Sequence, residues 1–127
     1  MTNGLITPEL RTDGSRPLIA DWNAGPYLIT NNGLTINSRV ESLDDDASYQ
    51  LPSGMKGFIR LIVGDDEEWA DIRFSTTTVT IIVGSANVVN TDTDTKFCVF
   101  HSLTGGILYV RNRLGSTKDV LLDMKYY

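Results

Sequence analysis

From residue 38 onward, apolar side chains recur at every second position, the period of a half-buried strand. Val40 and Leu43 lead into Asp44-Asp45-Asp46, and Ala47, Tyr49 and Leu51 then alternate up to a Pro52-Ser53-Gly54 turn. The run 56–63 is strong: Ile59, Leu61 and Val63 share one side, while Phe58 and Ile62 flank Arg60 on the other. After Gly64 and an acidic turn at 65–68, Ala70, Ile72 and Phe74 alternate with Trp69, Asp71 and Arg73. Val79 to Val83 is a β-branched run closed by Gly84-Ser85, Val88-Val89 is a short edge piece, and Phe97 to Phe100 resumes after a Thr/Asp loop. Ile107, Tyr109 and Arg111 oppose Leu108, Val110 and Asn112, and Val120, Leu122, Met124 and Tyr126 form one face of the final strand. No stretch sustains a helical period, and only 65–73 has room for a turn or two of helix. About eight strands, roughly 8 to 12 residues apart, predict an all-β fold, an antiparallel β-sandwich or jelly roll.

The first 37 residues read differently. Pro8 blocks helix and central strand alike, so residues 1–7 are expected to be extended. Asp13-Gly14 and Gly25-Pro26 are turn dipeptides, and Pro17 biases Arg16 toward an extended conformation. Between these breaks stand Leu18, Ile19, Trp22 and Tyr27, side chains that want burial in a segment too rich in Gly, Pro and charge to fold on itself. Such a segment must lie on another surface, so these four are the candidate contacts of an attachment arm. The tripeptide Asn31-Asn32-Gly33 between 27–30 and 34–37 predicts a short hairpin, because Asn-Gly tolerates φ > 0 at both positions. The expected organisation is an N-terminal attachment arm and hairpin at 1–37 and a β-sandwich domain at 38–127.

Composition narrows the partners. The 127 residues fit one domain that buries a core without disulfides or metals. Eleven basic against sixteen acidic side chains give a net charge of -5, which argues against nucleic acid and anionic lipid as partners. No apolar run approaches the roughly 18 to 20 residues of a membrane span, so no membrane insertion is expected. No basic-then-apolar leader opens the chain, and the expectation is synthesis in a cytosol.

The inventory for catalysis is short. His101 is the only histidine, and Cys98, the only cysteine, is three positions away on the same strand, on the opposite face. There is no Gly-rich phosphate loop, paired-cysteine spacing or zinc-protease signature. The expectation is a non-enzymatic protein with no catalytic residues and no cofactor. Asn90-Thr91-Asp92-Thr93-Asp94 imitates the start of a calcium loop, but Thr95 stands in place of its glycine and His101 in place of its bidentate glutamate. The acidic runs therefore read as solvated turns that discourage edge pairing, with no metal assigned.

Two features point to binding. Trp69 beside an acidic turn, with Asp71 on the same strand face, forms a candidate glycan contact, since sugar faces stack on aromatic rings. The strands at 56–63, 96–101 and 107–112 carry apolar residues on both faces, more than a lone sandwich needs. Their surplus side chains, Phe58, Ile62, Phe100 and Tyr109, are the candidate contacts of a symmetric subunit interface.

The run Arg11-Thr12-Asp13-Gly14-Ser15-Arg16-Pro17-Leu18, followed by Ala20-Asp21-Trp22-Asn23-Ala24-Gly25, resembles a segment that recurs in bacteriophage tail fibres and other phage virion proteins. The strand ending at Ile107 to Ser116, with one more strand after it, is similar to the closing hairpin of small β-sandwich domains in phage fibres and spikes. The N-terminal motif is the more specific of the two. The resemblance implies a homotrimer located in the virion after synthesis in the host bacterial cytoplasm. A single small sandwich follows the motif at once, without long repeats, which favours a compact virion protein over a fibre shaft. The implied function is capsid decoration: a cement protein whose arm lies along the shell and stitches capsid subunits. The alternative is a short tail or head fibre whose sandwich binds a host surface glycan. A free-standing carbohydrate-binding module fits the strands and leaves the arm without a role.

Overall fold

The computed structural model describes residues 29–127 apart from 32, 66 and 104; the arm positions Leu18, Ile19, Trp22 and Tyr27 lie outside the described residues. The described chain is all-β with no helix, and residues 67–73, where a turn or two of helix had room, form a turn and a strand. Its strands are β1 (Ile29–Asn31), β2 (Leu34–Leu43), β3 (Ser48–Gln50), β4 (Gly57–Val63), β5 (Glu68–Phe74), β6 (Val79–Gly84), β7 (Val88–Val89), β8 (Phe97–His101), β9 (Leu108–Asn112) and β10 (Lys118–Tyr126). They form a six-stranded antiparallel sheet in the order β1-β2-β10-β4-β5-β6 and a four-stranded sheet in the order β3-β9-β8-β7. Within the smaller sheet, β7 runs parallel to β8 and the other pairs are antiparallel.

The two sheets pack face to face as a sandwich because their central strands each keep one apolar face. On β10, Val120, Leu122, Met124 and Tyr126 are buried and the residues between them are exposed. Ile59, Leu61 and Val63 of β4 and Ala70, Ile72 and Phe74 of β5 continue that layer, which meets Phe97 and Val99 of β8 and Leu108 and Val110 of β9. Each large side chain buried there contributes about 1.5–3 kcal/mol relative to exposure.

The predicted hairpin is present, with Asn31 opposite Leu34 and Gly33 in the left-handed region at φ 81°. Its second strand does not stop at residue 37. β2 runs on to Leu43 and pairs with β10 from Thr35–Tyr126 to Leu43–Lys118, so the hairpin and the sheet share one strand. The larger sheet is two strands wider than the smaller one, and over β2 its inner side turns polar: Asn37 donates to the hydroxyls of Tyr49 (2.9 Å) and Tyr126 (3.2 Å).

A second buried amide closes one end of the sandwich. Asn112 is fully buried. Its Nδ2 donates to the carbonyls of Leu43 (2.9 Å) and Ser116 (2.7 Å), and its Oδ1 accepts from the Leu114 amide (3.0 Å). One side chain thereby satisfies backbone groups from the β2–β3 and β9–β10 turns, groups that would each cost about 1–3 kcal/mol if buried unpaired.

Candidate docking face

The outer side of the six-stranded sheet concentrates the exposed apolar surface. Val40, Phe58, Trp69, Ile82, Val83 and Leu121 are all exposed, and all belong to strands of this sheet. Exposed apolar residues scattered singly are ordinary on any protein; a contiguous set on one face marks an interaction surface.

Strand register arranges this face in rows. Leu121 of β10 stands opposite both Val40 of β2 and Ile62 of β4, and Ile62 stands opposite Trp69 of β5. Val40, Leu121, Ile62 and Trp69 thus form one apolar row across four adjacent strands, spanning about 14 Å at the usual strand spacing. Val40 at 65% and Leu121 at 43% relative exposure show that the row is open rather than covered by a neighbouring loop.

The next row is polar: Ser38, Asp123, Arg60 and Asp71. Ser38 Oγ donates to Asp123 Oδ1 at 2.7 Å, and Arg60 Nε donates to Asp71 Oδ1 at 3.0 Å. Arg60 is largely exposed, so this ion pair adds only about 0.2–1 kcal/mol and serves more to hold the side chains in place. The third row places Phe58 between Lys125 and Arg73. At the β5–β6 boundary the register shifts, so that Asp71 pairs with Val83 and Ile72 with Ile81. Ile82 is the extra residue of this bulge, and consecutive Ile82 and Val83 are both exposed. Phe58, Ile82, Arg60, Asp71, Asp123 and Lys125 line a shallow cleft of about 300 Å³ on this face.

Of the residues singled out from the sequence, Ile62 and Trp69 meet in the apolar row, while Phe58 and Asp71 border the cleft. Phe100 and Tyr109 lie on the other sheet. There they stand opposite each other on β8 and β9 with ring centroids 5.5 Å apart. The Arg111 guanidinium lies 5.4 Å and 5.7 Å from the two centroids and is fixed by Ser48 (2.8 Å) and Asp92 (2.8 Å). These two aromatics are half-buried under an internal cation, so the structure separates the four interface candidates into two pairs on different sheets.

The remaining candidate chemistry is engaged locally. Cys98 is buried, its thiol donates to the Thr93 carbonyl at 3.2 Å, and burial pushes its pKa up. His101 Nε2 lies 2.9 Å from the Ser75 carbonyl. Asp44 accepts from Thr117, Asp45 from the Gly115 amide, and Asp46, Asp92 and Asp94 face Arg113. Among the described residues no group of three or more His, Cys, Asp or Glu side chains converges as a metal site.

Sequence reasoning missed Val40, Leu121, Ile82, Val83, Arg73 and Lys125. The alternation assigns Leu121 and Lys125 to the face opposite Val120, but their neighbours follow only from the insertion of β10 between β2 and β4. No family model, curated protein or solved structure matches this chain.

Proposed function

We propose that the chain is a non-enzymatic structural protein of a bacteriophage virion, a homotrimeric capsid decoration protein that attaches through its N-terminal arm. The observation that carries the reading is the open row Val40–Leu121–Ile62–Trp69 on an otherwise ordinary sandwich. It is joined by the phage-like segment from Arg11 to Gly25.

A closed trimer needs two different patches per subunit, each meeting the other on its neighbour. The row is long enough to supply both, with the Val40 end of one subunit packing on the Trp69 end of the next. Phe100 and Tyr109 fit this scheme less well, since joining opposite faces of a sandwich head to tail stacks subunits in an open file. The arm, with Leu18, Ile19, Trp22 and Tyr27, is then left to grip the capsid, offsetting its ordering entropy with buried apolar area.

Sedimentation equilibrium of the full chain tests the assembly: a trimer is expected, and a monomer at tens of micromolar overturns it. Deleting residues 1–30 and mixing the product with undecorated heads of the encoding phage tests attachment. Retention of full binding by the truncated chain would sink the decoration reading. A second reading, a short fibre whose sandwich binds a host surface glycan, is favoured by the 40% exposure of Trp69 beside Asp71. It expects glycan binding by the sandwich, and loss of that binding on Trp69→Ala with folding intact would assign the contact to Trp69.

A further inference from the structure

The cleft beside Phe58 has a composition that the apolar row does not share. Among the described residues, the other lysines and arginines have a carboxylate, amide, hydroxyl or ring partner. Lys125 and Arg73 have none. These two stand directly opposite Phe58, one on each neighbouring strand, in a row about 13 Å from the apolar one. Directly opposed side chains have Cβ atoms about 4.5–5.5 Å apart, so both cations are carried at positions next to the ring. Phe58 itself is 58% exposed and has no partner ring among the described residues.

We infer that this cleft is a subsite for an acidic saccharide, a sugar ring carrying a carboxylate. This rests on the glycan-binding reading, moves its centre from Trp69 to Phe58, and narrows the ligand class. Three requirements of such a ligand are met side by side. Its apolar C–H face needs a flat aromatic surface, which Phe58 offers. Its carboxylate needs cationic donors: Lys125 and the terminal nitrogens of Arg60 line the cleft and are free to provide charge-assisted hydrogen bonds, and Arg73, the other residue opposite Phe58, adds positive charge beside it. Its hydroxyls need acceptors: Asp71 and Asp123 line the cleft, and each engages only Oδ1 in an internal hydrogen bond. The volume of about 300 Å³ lies at the small end of ligand sites, as a single sugar ring requires.

The two carboxylates also select against the nearest competitor. A nucleotide would satisfy the ring and the cations, but it would bring a phosphate dianion up to Asp71 and Asp123. A uronate brings one charge and several hydroxyl donors, so the same carboxylates repel the first ligand and bind the second.

Heteronuclear NMR titration of the full chain with methyl glucuronide, methyl galacturonide and methyl N-acetylneuraminide tests the inference. Methyl glucoside, sodium acetate and AMP serve as controls. At least one acidic glycoside is expected to bind in the millimolar range, shifting amides around Phe58, Arg60 and Lys125, and to bind about tenfold tighter than the neutral glucoside. Phe58→Ala is expected to weaken it about tenfold, and Lys125→Gln or Arg73→Gln about fivefold, with melting temperature unchanged because all three side chains are exposed. Trp69→Ala should leave it intact. No binding by any of the three, equal binding of the glucoside, or tighter binding of acetate or AMP overturns the inference. Binding lost on Trp69→Ala but kept on Phe58→Ala also overturns it, while leaving the broader glycan reading standing.

Discussion

Single buried polar groups decide much of the stability of this sandwich. Asn112 has both amide hydrogens and its carbonyl oxygen engaged, so truncation strips partners from three backbone groups at once. Asn112→Ala is expected to cost about 2–4 kcal/mol, read as a lower urea midpoint with an unchanged slope. Tyr126 adds a pH dependence. Burial, partly opposed by the hydrogen bond from Asn37, raises its phenol pKa above the ordinary value of 10.0. The folded state therefore holds this proton to higher pH than the unfolded chain does. Its contribution is complete below pH 10 and falls as pH rises through the folded pKa. Stability should accordingly decline more steeply above pH 10 in the wild type than in Tyr126→Phe, compared by urea melts between pH 8 and 11. Neither amide was legible as a core residue from the sequence. Alternation puts Asn112 on a face with Leu108 and Val110, and whether that face is core depends on which turns need its amide.

At the scale of the strand, local pattern and structure agree closely. The inner faces of β4, β5 and β10 are those read from period two, and Asn-Gly marks the hairpin where it forms. What the pattern does not carry is pairing. Gly57 is an example: it opens β4 as an unremarkable turn residue, yet it lies flat against β10, where a Cβ would collide with the carbonyl of Lys125. Gly57→Ala is expected to destabilise by about 1–3 kcal/mol, detected as a drop in melting temperature, although alanine suits a strand no worse than glycine does. The bulge at Ile82 is likewise invisible in a run of β-branched residues, because it exists only relative to β5. The outer face was therefore half legible. Phe58, Ile62 and Trp69 can be named from their own strands, whereas the row joining Ile62 to Leu121 and Val40 needs two strand pairings that lie far apart in sequence.

At the scale of the whole molecule, the two sides of the sandwich behave differently toward water. The smaller sheet covers its aromatics with Arg111, and the larger leaves its apolar row open. A charge placed in that row should break assembly without harming the fold. Ile62→Lys, on the outer side of β4, is expected to convert the proposed trimer to monomer in sedimentation experiments while the monomer keeps its far-UV spectrum and cooperative melt. A matching Phe100→Lys change on the other sheet should instead lower the melting temperature, because it removes the ring beneath Arg111.

The place of β10 in the sheet sets the order in which the molecule can be made. β2 and β4 lie on either side of it, so the pair β1-β2 and the set β4-β5-β6 stay two separate pieces of sheet until residues 118–126 have left the ribosome. Up to that moment the nascent chain carries two long strands with unmet hydrogen-bond edges and their apolar faces exposed. Closure then depends on contacts of high sequence separation, which form slowly. The growing polypeptide should therefore depend on chaperones until β10 emerges, and fragments ending before Lys118 should aggregate.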